Sequence, residues 1–411
     1  MKSSISNPSS AARRRWLGRT LGLSASAWLG ARSTLGRAAD QQAPRLLVVF
    51  LRGGYDATSL LVPYRSSFYY EARPAIAIKP PDSGDALAAV RLDDDWALHP
   101  ALADSLLPLY RAGQLAFVPF AGTPDLSRSH FETQDSIELG LASSTDGSTA
   151  RTGFLHRLAD ELDGGDRTAA FTEQPPLILR GTPALANIAV RGGAGKAFTD
   201  RQQDLIRSMY ADQPQAAQIA QSFEVQKELA DQAIGEMKGV NRQAINPRGF
   251  EMAARRVARL MRERYRIGFI DVGGWDTHVG QGAGTGYLAD RFAELGRGLA
   301  AFADDAASIW PQTTVVVLSE FGRTFRENGN RGTDHGHGSV YCVLGGNVRG
   351  GRVLGEQLVL ERSRLFQDRD LPVLNDYRSL FGGLFARLFE LDRTRLARVF
   401  PDVPPRDIGL V

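Results

Sequence analysis

Thr313-Thr314-Val315-Val316-Val317-Leu318, running straight into Ser319-Glu320-Phe321-Gly322-Arg323, decides the fold. The uncharged first six residues read as a strand buried on both faces, and the polar tail as the turn that leaves it. Similar segments recur on either side. Arg45 to Leu51 is an apolar run closed by Arg52-Gly53-Gly54. Leu115 to Phe120, Arg266 to Val272 and Val340 to Leu344 read as further strands, and Leu177-Ile178-Leu179 as a short one. Pro100 to Ala112 and Tyr287 to Ile309 carry helical spacing between them. Residues 200–265 read as mostly helical, and about 160–260 as a helical insertion. This alternation predicts an α/β domain over residues 40–411, with a largely parallel central sheet flanked by helices.

Ligands of such sheets bind beyond the carboxyl ends of the strands. Those ends carry Gly53-Gly54-Tyr55-Asp56, Ser127-Arg128-Ser129-His130-Phe131, Gly274-Trp275-Asp276-Thr277-His278, Ser319 to Arg323, and Asp334-His335-Gly336-His337-Gly338. Four of the six histidines fall in these segments. Taken singly, each has a plainer reading: Asp56 caps a turn, His130 packs, Asp276 braces a loop, and Glu320 pairs with Arg323. Together, carboxylates and imidazoles converging on one sheet edge are what a divalent cation needs. The expected ligands are Asp56, Asp276, His278, Glu320, Asp334, His335 and His337. Glycines beside the last histidines permit close backbone approach. His99 and His156 lie outside the pattern and read as structural.

Composition narrows the function classes. Of 411 residues, 43% are hydrophobic and 23% charged, which suits a soluble globular protein. Cys342, the single cysteine, excludes an intramolecular disulfide and any multi-cysteine metal site. It falls in an apolar strand and reads as an inert core residue. The net charge of +3 comes from the first 39 residues, whose seven basic side chains meet no acid. The remainder has 42 basic against 46 acidic residues, so nothing marks a nucleic-acid surface. No G-x-S-x-G elbow, phosphate-binding loop or H-E-x-x-H helix is present.

Residues 1–39 read as a targeting segment. Arg13-Arg14-Arg15-Trp16-Leu17 resembles a twin-arginine signal, with Gly18 where lysine is common. A weakly apolar stretch, Leu21 to Ala31, leads to Gly36-Arg37-Ala38 as a cleavage site. The apolar part is about half the ~20 residues that span a bilayer. Export by the twin-arginine machinery to the periplasm, or another extracytoplasmic space, is the expectation. No transmembrane span is expected in the mature chain.

The ordered motifs Gly-Gly-Tyr-Asp56, Ser-Arg-Ser-His130-Phe, Gly-Trp-Asp276-Thr-His278, Ser-Glu320-Phe-Gly-Arg323 and Asp334-His-Gly-His337 resemble the bacterial "domain of unknown function 1501" family. The resemblance runs from about residue 45 to about 400. That family in turn resembles the alkaline phosphatase superfamily, which includes sulfatases and cofactor-independent phosphoglycerate mutases. The resemblance implies an alkaline-phosphatase-like core and one or two divalent ions, zinc first, with magnesium, manganese or calcium as alternatives. By position, Asp56 is similar to the first metal-binding Asp, and Ser129 or Ser127 to the nucleophile at a helix start, here Phe131 to Leu141. Asp276 and His278 are similar to the Asp…His ligands, and His335 or His337 to the last His. Glu320 stands where an Asp is usual, and Phe321 where a His is usual, with Asp334 or His130 as substitutes. Arg323 would clamp the oxygens of a transferred group.

The implied activity is hydrolysis of a phosphate or sulfate ester, small-molecule or glycan, through metal-activated Ser or water. A non-catalytic exported binding or assembly protein on the same fold is the alternative. An isomerase or transferase of a phosphorylated sugar stands third.

Overall fold

All seven residues of Arg45–Leu51 (β1) are buried, as an unbroken apolar run requires of a central strand. The computed structural model describes residues 42–142, 152–190 and 249–411. The expected targeting segment and most of the expected helical stretch 200–265 therefore lie outside the described residues. Eight further strands complete the main sheet: Leu115–Gly122 (β2), Thr168–Ala170 (β3), Ala186–Asn187 (β4), Ile267–Val272 (β5), Thr313–Ser319 (β6), Ser339–Gly345 (β7), Arg352–Val353 (β8) and Asn375–Asp376 (β9). Their order is β8-β2-β7-β6-β1-β5-β3-β4, with β9 also on β2. The sheet is largely parallel, as expected. Only β7 runs against its neighbours, β2 and β6.

Three readings depart from the structure. Pro100 to Ala112 is a 3-10 turn, Pro100–Leu102, followed by a separate short helix, Leu106–Arg111. Leu177–Leu179 is a single 3-10 turn, not a strand. Pro175 and Pro176 supply no amide donor there, and the Ile178 amide donates to Glu138 Oε2 at 3.0 Å instead of to a ladder. The expected helical insertion is interrupted too, because β3 and β4 within it are strands of the main sheet.

Alternate residues of β1 serve two cores. Leu47, Val49 and Leu51 pack beneath Phe250–Glu263 and Tyr287–Asp305, while Leu46, Val48 and Phe50 pack beneath Phe154–Glu161, Tyr377–Leu388 and Arg393–Val399. Taken in chain order with His130–Leu139 as α1, these helices are α2 (Phe154–Glu161), α3 (Phe250–Glu263), α4 (Tyr287–Asp305), α5 (Tyr377–Leu388) and α6 (Arg393–Val399). Each fully buried Leu, Val or Phe contributes about 1.5–3 kcal/mol. Among the described residues, no helix is long and apolar enough to cross a membrane.

The register sets the site. Leu51 stands opposite both Val272 and Ser319, so β1, β5 and β6 release their loops at one level. The chain then stays at that edge from Glu320 to Gly338, forms no crossover helix, and returns along β7.

Candidate metal centre

Gly53 ties the three loops together. Its amide donates to Glu320 Oε1 at 2.8 Å, and its carbonyl accepts from Arg323 Nη2 at 2.7 Å. Its φ is +122°, and a Cβ there would lie 2.8 Å from the Asp276 amide nitrogen. Only glycine suits both demands.

Asp276 Oδ1 is the point of convergence. The Nε2 atoms of His278, His335 and His130 lie 2.9, 3.3 and 3.6 Å from it. His278 and His335 bring their Nε2 atoms within 3.2 Å of each other. Each opposite ring nitrogen is anchored. His130 Nδ1 meets Glu320 Oε1 at 2.7 Å, His278 Nδ1 meets Asp334 Oδ1 at 3.2 Å, and His335 Nδ1 meets the Arg128 carbonyl at 3.0 Å. Ionised carboxylates and carbonyls only accept, so each Nδ1 can donate to its anchor, and a cation on the Nε2 side would fix that tautomer. In that tautomer the three Nε2 lone pairs converge beside the Asp276 carboxylate, ready for a cation. Arg323 Nη2 donates to that oxygen, and Arg323 Nη1 lies 3.4 Å from His278 Nε2. His130 Nε2 is buried with no hydrogen-bond partner among the described residues.

This donor set fits a divalent cation. One ligand atom each from His130, Asp276 and His335 lie within 4.8 Å of one another. Zinc bonds of about 2.0–2.1 Å place tetrahedral ligands about 3.3 Å apart, close to the 3.3 and 3.6 Å separations of His335 and His130 from Asp276. Anchoring the far nitrogen of a ligating imidazole on a carboxylate or carbonyl is how protein metal sites fix the ring. Asp276, Glu320 and Asp334 outweigh Arg323, leaving a surplus of two negative charges for a cation to meet.

The proton equilibria follow the same contacts. The hydrogen bond to Glu320 raises the His130 pKa above its ordinary value, against the opposing effect of burial. Burial pushes the Glu320 carboxyl up, but donors from His130, Gln134 and Gly53 outweigh it and hold it below the usual range. Burial likewise opposes ionisation of Asp276, and Arg323 reverses it. Burial and the neighbouring His130 lower His335.

Other expected residues lie elsewhere or are occupied. Asp56 is fully buried, and its oxygens take two donors from Arg73, at 2.6 and 3.0 Å, with Ser59 and Gln281 each at 2.7 Å. Arg73 and these neighbours outweigh its burial and keep it ionised, so it acts as half of a core ion pair. His337 turns away from the cluster onto Phe366, at a ring distance of 5.0 Å, and burial lowers its pKa to about 4. Ser129 sits at the start of α1 as expected, but its hydroxyl caps the Glu132 amide. Ser127 Oγ bonds Thr133 Oγ1 at 3.1 Å. Arg323 spends its donors on the carbonyls of Gly53, Gly54 and Thr333, on Asp276 and on His278. It pins the loops instead of reaching outward. Phe321 walls the site, 4.9 Å from the His130 ring and 5.1 Å from His335. Trp275 is buried, bonds the Val272 carbonyl and packs on Tyr55 and Phe292, so it is a wall too. His99 and His156 are structural: one caps a 3-10 turn, the other bonds Asp160 and the Pro183 carbonyl.

Sequence reading missed Gln134, whose Nε2 donates to Glu320 Oε1 at 2.8 Å. The signal was its place four residues after His130, on the same helix face. It also missed Asn328, which donates to Asp334 Oδ1 at 3.0 Å, and Gln281. Gln281 Oε1 accepts from Thr277 and Thr333 while its amide holds Asp56, joining both histidine loops to the buried ion pair.

Among solved structures, the crystal structure of Ps i-CgsB in complex with k-i-k-neocarrahexaose is similar over 90% of this chain and 76% of that one, at 9% identity and TM-score 0.38. The crystal structure of Ps i-CgsB is similar over 86% and 74%, at 11% identity and TM-score 0.32. Likeness this distant does not speak to chemistry. No curated protein matches the chain. The profile of the family described as "Protein of unknown function (DUF1501)" matches residues 43–400, and the chain belongs to that family.

Proposed function

We propose that this protein is a metal-dependent hydrolase of phosphate or sulfate esters, exported by the twin-arginine route to an extracytoplasmic space. The observation that carries it is the convergence of three Nδ1-anchored histidines on Asp276 Oδ1. His130, Asp276 and His335 would hold one divalent ion, zinc first, with His278 within reach. When bound, such an ion polarises an ester oxygen and lowers the pKa of a water. Glu320, Asp334 and the Arg128 carbonyl keep the three rings in the ligating tautomer. Arg323 holds Asp276 and shares its charge. Both candidate serines are engaged in the start of α1, which favours attack by water over attack by Ser129. The leader's paired arginines support export of a folded, metal-loaded protein. The ester class, small-molecule or glycan, rests on the superfamily resemblance of the motifs.

The test is metal analysis of the mature protein, followed by a panel of phosphate and sulfate esters. Stoichiometric metal and turnover that Asp276→Ala abolishes together, and Ser129→Ala spares, is the expected result. A binding or assembly protein is the second reading, favoured by the full occupation of Arg323. Metal without turnover on any ester would support it, and absence of both would sink the hydrolase.

A further inference from the structure

Arg128 is a non-glycine residue with φ +53°, in the loop that enters α1. An L residue holds that conformation only when its surroundings over-determine it. Here two things do. Its guanidinium donates to Asp370 Oδ2 through Nε at 3.1 Å and Nη2 at 2.7 Å, and Nη2 also donates to Gln367 Oε1 at 2.7 Å. Its carbonyl, turned by that conformation, accepts from His335 Nδ1.

Asp370 is an odd partner. It is fully buried, its Oδ2 also meets Arg369 Nη1 at 3.4 Å, and its Oδ1 has no hydrogen-bond partner among the described residues. A half-satisfied buried carboxylate is an inefficient stabiliser. It does fix geometry. Its backbone exchanges hydrogen bonds with Phe366, and the adjacent Arg369 donates to the His335 carbonyl at 2.9 Å. One short segment therefore grips His335 by its main chain and, through Arg128, by its ring.

We propose that Asp370 and Arg128 are positioning residues for the candidate metal centre: the pair holds residue 128 left-handed, and its carbonyl keeps the His335 proton on Nδ1. This extends the metal reading above and rests on it for its consequence, but the contact that selects the tautomer is made without metal: Nδ1 lies 3.0 Å from the Arg128 carbonyl, closer than the 3.3 Å from Nε2 to Asp276 Oδ1.

The test is a series at position 128 in the full mature chain. Glycine adopts positive φ freely, alanine with strain, and valine worst of all. The affinity for zinc, measured by chelator competition, should fall in the order Arg128→Gly, Arg128→Ala, Arg128→Val. Asp370→Asn should weaken it roughly ten-fold, the size of effect expected beyond the ligands themselves. In metal-free protein, nitrogen NMR of labelled histidine, assigned with His335→Gln, should show His335 protonated on Nδ1. That signature should fade along the same series. Equal affinities for Gly, Ala and Val at 128, as a side chain that merely touches substrate would give, would overturn the proposal. So would a wild-type His335 protonated on Nε2. Should Asp370→Asn fail to fold, the position-128 series decides alone. A wild type that binds no zinc, with the tautomer still following the series, leaves the positioning intact and removes the metal reading instead.

Discussion

At Glu320, one buried carboxylate answers four donors: the Gly53 amide, His130 Nδ1, Gln134 Nε2 and the Ser319 hydroxyl. Glu320→Leu, of similar size, leaves those donors without an acceptor. Leaving such a group unsatisfied in the interior costs about 1–3 kcal/mol, and more where a charge was paired. Thermal unfolding should show that loss, together with weakened zinc binding, because His130 loses its anchor. Asp276 behaves differently. Its side chain is 46% exposed, so Asp276→Asn should barely move the unfolding temperature while cutting metal affinity at least ten-fold by titration calorimetry. A large stability loss there would mean that Arg323, and not a cation, is what Asp276 serves. These residues were legible because chemistry-bearing side chains beside glycines have little to do in packing. Asp56 misled for the opposite reason. The Gly-Gly-x-Asp pattern specifies a tight turn, and nothing in it announces Arg73, which folds back from 17 residues on to claim both oxygens. Long-range partners of a buried charge are set by packing, which local sequence does not encode.

Strands were the most readable elements, since burial on both faces leaves an unbroken apolar run. The direction of β7 was readable in principle. Residues 320–338 carry no helical period, and a parallel return would need a crossover. Leu177–Leu179 was not readable from its apolar residues alone, because the Glu138 carboxylate, and not a strand, takes its amide. The loop from Glu320 to Gly338 works as a clasp. A Cβ at Gly336 would lie 2.4 Å from the Arg323 carbonyl oxygen, and backbone cannot yield as a side chain does. Gly336→Ala should therefore push the Asp334–His335 strand of the clasp away from Arg323. The expected outcome is loss of zinc affinity out of proportion to the loss in unfolding temperature. Equal, small effects on both would mean that the clasp is pliable and that its closeness does not matter to the site.

Across the whole molecule, the buried histidines set how the fold meets acid. His99 has its pKa lowered to about 4 by burial, and so has His337. A histidine depressed from 6.5 stays neutral in the fold while the unfolded chain takes up a proton, so unfolding gains protons between pH 6.5 and 4. Stability must then fall as pH falls through that window, by up to about 3 kcal/mol for each of the two at 1.36 kcal/mol per pKa unit. His130 runs the other way in metal-free protein. Its raised pKa gives stability fully present below 6.5 and lost as pH rises through its folded value, so it offsets part of the acid loss. Asp56 and Glu320, held low, add stability that disappears only as pH drops further, through their depressed values. The separable contributor is His99. It is remote from the cluster, its Nε2 lies 3.0 Å from the Ala283 carbonyl, and its Nδ1 accepts from Ala101. His99→Gln keeps the reach to Ala283 without a titrating ring. Denaturant unfolding from pH 7 to 4.5 should give the variant a shallower fall than wild type, by up to one proton, or about 1.4 kcal/mol per pH unit. Parallel curves would mean that His99 is protonated in the native fold, and that burial at the Pro100 turn does not exclude its charge.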